Sequence, residues 1–527
     1  MGFLQPNLPE VDHDVWGALP RDERMRPMFR HYAEHGFGSP DVVILVYVVK
    51  IVVYVAVGWL FVLSTPGIDG FFAVDEWWRN GDVFFKFVMW TTLFEVLGLG
   101  CGFGPLNLRF VPPMGAPLYW LRPNTIRLPF AGGRLPLTGG DTRTVVDVVL
   151  YAAFLVSLVV AAWGDITRTE VAVAVVLLAV IGLRDQVIFL AARGEVYGSL
   201  MLAFLVADGD QITAAKLVMV VIWWGAATSK LNHHFPLVMA TMQSNSPMLR
   251  FGHIKRRLWK DWPNDLRPSR AAGAVAHFAT VIEFGVPLVM LLASDGPLLK
   301  VAAVIMILFH LGILTSFPMG VPLEWNVFMI GGIVFLFLAH PGTPFSDLSE
   351  PLLVWGLVAG LVAIVAWGNL VPEKVSFLPS MRYYAGNWAA SSWCFRGDSI
   401  DRFDRNIVKA SMLPHLQLEK VYGSPVEAAV PLHMGYAFRG FHTHGRALWT
   451  LVPRACGPDH EDFLVLDGEL VAGTSLGWNF GDGHLHGPRL IDALQKRCDF
   501  QPGDLRIVFV ESQPFHKGCL LYTSRCV

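Results

Sequence analysis

Charge is what this chain has least of. Asp, Glu, Lys and Arg make up 16% of its 527 residues, against roughly 25% in a soluble globular protein. The shortfall is concentrated in long apolar runs, which excludes an ordinary soluble fold and points to membrane spans. A basic surplus is missing too. The net charge of -2 leaves no domain-wide excess to neutralise phosphates, so no nucleic-acid partner is expected. The six cysteines (Cys101, Cys394, Cys456, Cys498, Cys519, Cys526) form no CxxC pair, which excludes a disulfide framework and a zinc ribbon. No internal repeat of about 20–50 residues is present, which weighs against a permease built from repeated halves. The opening residues Met1 to Pro6 lack the hydrophobic core of a signal peptide, and Pro6 spoils a myristoylation pattern. Insertion is therefore expected to rely on the spans.

What is present is a series of runs near the roughly 20 apolar residues that a crossing needs. They are Val42–Ser64, Val83–Phe103, Val145–Trp163, Val171–Leu190, Thr213–Asn232, Ala271–Ala293, Leu298–Phe317, Leu323–Ala339 and Leu352–Leu370. A shorter run, Val196–Ala207, brings the count from about nine to about ten. Lys and Arg favour cytoplasmic loops. Arg21, Arg24, Arg26 and Arg30 precede the first run, which puts the N-terminus in the cytoplasm. The basic loop from Arg250 to Arg270 shares that side only if Val196–Ala207 also crosses. With ten crossings the C-terminal region is cytoplasmic, and with nine it lies outside. The expected fold is a mainly α polytopic helix bundle with a smaller α+β C-terminal domain. Its parts are an N-terminal cytoplasmic segment (1–41), a transmembrane domain (42–370), an interfacial linker (371–427), a soluble α+β domain (428–518) and a tail (519–527). That tail resembles an end that recurs on unrelated chains, and it is set aside as non-native. In the soluble part, short apolar runs at Ala447–Val452, Asp462–Leu466 and Leu505–Val510 suggest strands, and Pro488–Arg497 a helix.

Ionisable residues inside spans are expensive and mostly face the protein interior. Lys86 and Lys216 lie near span ends, where their stems can reach the headgroups. Asp147, Lys300, Glu324 and the Arg184-Asp185 pair are read as interfacial. Lys50 and Glu95 are deeper and can pair across helices. Lys230 follows Trp223-Trp224-Gly225-Ala226-Ala227-Thr228-Ser229. Trp223 shares its helical face, and the small residues let a neighbouring helix come close. An amine beside an aromatic wall in low dielectric can act as a base; the alternative is a lysine reaching for lipid phosphate. Glu283 precedes Pro287 by four residues, and that proline removes a helix hydrogen bond. His310 lies mid-span, either as a catalytic partner or as a satisfied interhelical hydrogen-bonding group.

The same stretches, Gly225–His234, Thr280–Pro287 and Ile307–Ser316, resemble the HTTM superfamily. This is the membrane region shared by vitamin K-dependent gamma-carboxylases and bacterial relatives. Its small-residue span ending in Lys-Leu, its acidic residue before a proline and its Phe-His match Lys230-Leu231, Glu283 and Phe309-His310, within residues 145–370. The resemblance implies Lys230 as a base toward a reduced quinone, with Glu283, His310 and Trp223 around the site. Thr228-Ser229 stands where the animal enzymes have paired lysines, so the implied substrate is a quinone or lipid rather than a protein glutamate. Met1 to Asp12, with Arg26-Pro27-Met28 and His35-Gly36-Phe37-Gly38, resembles an actinobacterial transmembrane family of unknown function. That resemblance covers nearly the whole chain and implies a bacterial plasma membrane protein with membrane lipids as partners.

The C-terminal part is rich in histidine. His442-Thr443-His444 and His484-Leu485-His486 are His-x-His pairs, which on strands would each point to one side. Converging, they would offer imidazoles to a metal ion; otherwise they sit on solvated Gly-rich turns. Three functions stay open: an enzyme on a quinone or lipid-like substrate, a lipid or small-molecule transporter, and an anchor that positions the C-terminal domain.

Overall fold

The computed structural model describes residues 2–100, 115–206, 209–316, 323–386, 389–441, 445–478, 484–517 and 520–526. After an N-terminal helix, α1 (Arg21–His35), the chain forms a bundle of apolar helices: α2 (Asp41–Leu63), α3 (Gly81–Val96), α4 (Val145–Ala162), α5 (Arg168–Arg184), α6 (Gly194–Val206) and α7 (Gln211–Ser229). A short helix, α8 (Phe235–Ser244), and a hairpin of β1 (Trp259–Asp261) and β2 (Asp265–Pro268) lead into α9 (Arg270–Leu292), α10 (Pro297–Ser316), α11 (Leu323–Leu338) and α12 (Pro351–Leu370). Among the described residues six helices are long and apolar enough to cross a bilayer: α2, α4, α7, α9, α10 and α12. Of the other expected crossings, α3 has 16 residues and α5 has 17, and α6 and α11 are shorter apolar helices.

Local chemistry sets the helix starts. Thr144 with Asp147, and Thr167 with Glu170, form capping boxes that satisfy the first backbone N–H groups of α4 and α5. The Ser269 hydroxyl accepts from Ala272 N at 3.1 Å at the start of α9. Pro351 opens α12, where a missing N–H costs nothing. Burial then sorts the helices. The apolar stretch of α7 is 78% buried and forms the centre of the bundle, whereas α12 is 11% buried and presents its sides outward. Gly225 explains how α7 can be so enclosed. A Cβ there would lie 2.8 Å from the Met381 side chain, so only glycine admits this neighbour.

The loops separate into two layers. In one, Gly164 N donates to Ser64 Oγ, His340 reaches the Arg79 carbonyl, Thr343 donates to Leu291 O and Glu350 N donates to Asp210. In the other, α1 meets the hairpin region through Arg256–Glu34 and Trp259–Ala33. There, too, the Arg-rich segment after residue 115 meets the C-terminal region through Trp120–Leu476, Lys496–Asp141 and Arg489–Pro129.

The C-terminal region contains β3 (Ala389–Arg396), α13 (Pro425–Phe441), α14 (Gly445–Cys456), β4 (Phe463–Asp467), α15 (Gly468–Leu476), α16 (Pro488–Cys498), β5 (Leu505–Ser512) and β6 (Leu520–Cys526). The antiparallel sheet has the order β4-β3-β5-β6, with Trp393 of β3 opposite Leu466 on one side and Ile507 on the other. Two expectations change. The central strand β3 lies in the stretch assigned to a linker, because its sequence Ala-Ala-Ser-Ser-Trp-Cys-Phe-Arg is buried on both faces and carries no alternation. The run Ala447–Val452 lies inside α14, packed on the sheet, rather than in a strand. Residues 520–526, set aside as a tail, pair with β5.

Several charges expected at the lipid surface are inside. Lys86 is fully buried and donates to Phe61 O at 3.0 Å and Ser64 Oγ at 3.2 Å. Lys216 donates to the carbonyls of His340 and Gly342. Glu324 is buried and meets Lys50 at 3.2 Å. Asp147 bridges Arg127 and Arg184, and Asp185 pairs with Arg143. Sequence depth alone does not reveal that a neighbouring backbone carbonyl or carboxylate faces each of these groups.

Candidate functional site

Lys230 closes α7. Its backbone N–H bonds the carbonyls of Ala226 and Ala227, so the amine leaves the helix end and turns toward α9. There it forms an ion pair with Glu283; the side chains are 6% and 5% exposed. The amine also lies 5.6 Å from the ring centres of Phe235 and Phe309. Such a pair, desolvated and walled by rings, is held by its own attraction and has little help from water.

His310 of α10 is fixed on both sides. The Trp223 indole N–H donates to His310 Nε2 at 3.0 Å. Because an indole only donates, Nε2 accepts, and Nδ1 carries the hydrogen that it gives to Asn326 Oδ1 at 2.8 Å. The imidazole is thus a neutral, oriented bridge between α7, α10 and α11, not a free base.

These four residues line one cavity of about 800 Å³, within the range of small-molecule sites. Asn326 joins them on the membrane side, and Phe37 and Pro40 close it from the N-terminal segment. The far wall belongs to the C-terminal region: Tyr383, Tyr384, Arg439, Asp467 and Glu469. Arg439 at the end of α13 meets Asp467 at 2.5 Å and Glu469 at 2.9 Å. Val275 of α9 and Leu308 of α10 also line the cavity and are 54% and 60% exposed, so its wall reaches the outer surface of the bundle. Sequence reasoning missed the Arg439 cluster and Asn326. A polar residue inside an apolar run was the available signal for Asn326. No spacing links Arg439 to Lys230.

The histidine pairs behave differently from two converging strands. His484 and His486 lie in a turn. The His484 ring stacks on Phe377 with centroids 4.7 Å apart, and His486 Nδ1 meets Ser391 Oγ at 2.6 Å. Burial, with Arg382 and Arg489 nearby, pushes the His484 pKa down to about 4; burial, with Arg439, pushes that of His486 down to about 3. His442 and His444 lie outside the described residues. Among the described residues no group of three or more His, Cys, Asp or Glu side chains could hold a metal ion.

No curated protein and no solved structure matches the chain. One family model does, over residues 1–524. With buried charges in apolar helices and that match across nearly its whole length, the chain belongs to the family described as transmembrane protein of unknown function (DUF3556).

Proposed function

We propose that this integral membrane protein is an enzyme acting on a quinone- or lipid-like molecule in the Trp223–Lys230 cavity. The observation that carries the reading is that a buried ion pair, Lys230–Glu283, forms part of the wall of a largely apolar cavity. Buried charge is retained at a cost, and in a cavity wall it can act on what enters. In the ion pair the Lys230 amine is already protonated. The proton acceptor is then the Glu283 carboxylate: a ligand hydroxyl gives its proton to Glu283, and the Lys230 ammonium faces the resulting oxyanion. The HTTM-like motif Lys230-Leu231, Glu283 and Phe309-His310 supports the same reading, with the proton acceptor moved from the lysine to its partner.

The topology we propose has ten crossings: α2 to α7 and α9 to α12, with both ends in the cytoplasm of a bacterial plasma membrane. What supports it is the division of the loops into two layers, with all three Arg-rich segments in the layer that holds the C-terminal region.

A second reading, a non-catalytic anchor, is favoured by one observation: Lys230, Glu283 and His310 all have partners. Purification in native-lipid discs followed by mass spectrometry of the retained molecules separates the two. The enzyme reading expects a quinone- or lipid-like molecule at near one per protein, lost when Ala279, a lining residue, is replaced by Trp. Equal retention of bulk lipid by both proteins would leave the anchor.

A further inference from the structure

We infer that Cys394 and Cys456 form an oxidisable dithiol, a site that a hydroperoxide converts to a disulfide joining β3 to α14. The two residues are far apart in sequence, and the fold brings them together. Cys394 lies on the central strand β3, between Val465 of β4 and Arg506 of β5. Cys456 is the last residue of α14, the helix that packs on this face of the sheet. Both side chains belong to one buried cluster with Leu448, Val452 and Val508. Within it the two thiols hydrogen-bond each other. Sulfurs already in contact need only a short further approach to reach the bond length of about 2 Å in a disulfide.

The surroundings make one sulfur the nucleophile. Arg506 donates to the Ala455 carbonyl and so covers the C-terminal end of α14, where the helix dipole would otherwise disfavour an anion. Arg21 reaches the same corner from α1, donating to the carbonyls of His460 and Phe463 at 3.2 and 3.0 Å. The bond from Cys394, with Arg506 and Arg21 nearby, holds the Cys456 thiol below its ordinary range against the effect of burial. The same bond, with burial, pushes Cys394 up. The thiolate is the reactive form, so Cys456 attacks and Cys394 resolves. Cys456 is also the outer of the two, at 5% exposed beside the surface residues Arg454 and Pro458, whereas Cys394 is fully buried. In the first step the Cys456 sulfur takes the terminal oxygen of the hydroperoxide. An S–O bond forms, the O–O bond breaks, and the proton lost from Cys456 returns to the leaving alkoxide. In the second step the Cys394 sulfur displaces that oxygen, which leaves as water with the Cys394 proton. Two thiols are oxidised to one disulfide, and one hydroperoxide is reduced to an alcohol and water.

The test uses the full-length protein in detergent, fully reduced and then freed of reductant. It is exposed to hydrogen peroxide, quenched in denaturant with a maleimide, digested and mapped by mass spectrometry. The expected product is the Cys394–Cys456 cross-linked peptide pair, lost again on treatment with dithiothreitol. Cys498, a thiol that burial pushes up to about 11, should still carry maleimide at peroxide levels that convert the pair. In Cys394→Ala the reaction should stop at a sulfenic acid on Cys456, captured by dimedone. The native protein decides the matter whether or not that variant folds. Cys456 still carrying maleimide when Cys498 is oxidised would overturn the dithiol, and so would Cys456 joined to any cysteine other than Cys394.

Discussion

At the scale of the residue, the ion pair decides whether the site is structural or chemical. Lys230 and Glu283 are buried together, so removing one leaves the other as an uncompensated charge. Lys230→Met and Glu283→Leu should each cost about 3–5 kcal/mol, while the double variant should recover most of that loss, because an apolar pair of similar size replaces the ions without leaving a charge behind. Thermal unfolding in detergent measures both. The double variant then gives a folded protein without the ion pair, in which the proposed turnover can be tested apart from stability. An additive double variant would show that the two residues do not act as a pair. The sequence marks Lys230, Glu283 and His310 as unusual because each is ionisable inside an apolar run. It does not show that His310 is held by Trp223 and Asn326, since hydrogen-bond direction depends on which faces three helices turn to one another.

At the scale of the element, spans are legible and irregular pieces are not. The runs from Val42, Val145, Ala271, Leu298 and Leu352 correspond to long helices because apolar length is a one-dimensional property. Strand β3 is obscured by its two-sided burial, and α14 by an apolar run that fits either element. The turn holding His484 and His486 illustrates the physical consequence. It is pinned to β3 through Ser391, which also accepts from the Trp393 indole at 3.1 Å. Its imidazoles are favoured in the neutral form by burial. The folded-state pKa of each lies below the unfolded value of about 6.5. As pH falls, the unfolded chain binds protons first, so stability is full above about 6.5 and declines through the window down to about 4 for His484 and about 3 for His486. Each histidine contributes a slope of about 1.4 kcal/mol per pH unit. Unfolding measured between pH 6.5 and 5, above the range of ordinary carboxylates, should show a shallower fall in His486→Gln. An identical slope in that variant would mean that the turn opens before His486 must be protonated.

At the scale of the whole molecule, the two loop layers set the topology. Single cysteines placed at exposed Arg26 and Lys420, on a background lacking the native thiols, should react with a membrane-impermeant maleimide only after the cells are opened. One at exposed Glu76, in the opposite layer, should react in intact cells. Labelling of Arg26 and Lys420 on different sides would mean an odd number of crossings. The proposed arrangement is the one the arginines suggest, because charge bias acts on each loop separately. The cavity was not legible, because its walls come from the N-terminal segment, the bundle and the C-terminal region at once, and no local pattern encodes such a meeting.

The N-terminal helix α1 holds Arg21 against Glu461 and the Phe463 carbonyl, partners some 440 positions further along, and sets Phe29 against Phe441. At a synthesis rate of about 5–20 residues per second, these partners emerge roughly 20 to 90 seconds after α1 does. The hairpin region reaches α1 earlier, through Arg256–Glu34 and Trp259–Ala33, but until the C-terminal partners emerge Tyr32, buried in the finished protein, lacks its Phe438 and Phe441 neighbours. The spans of the bundle are thus made before this layer is complete, and a chain interrupted short of Phe438 leaves the buried face of α1 only partly covered. Helix α1 is therefore secured in two stages, and the second of them reports whether the C-terminal region has arrived.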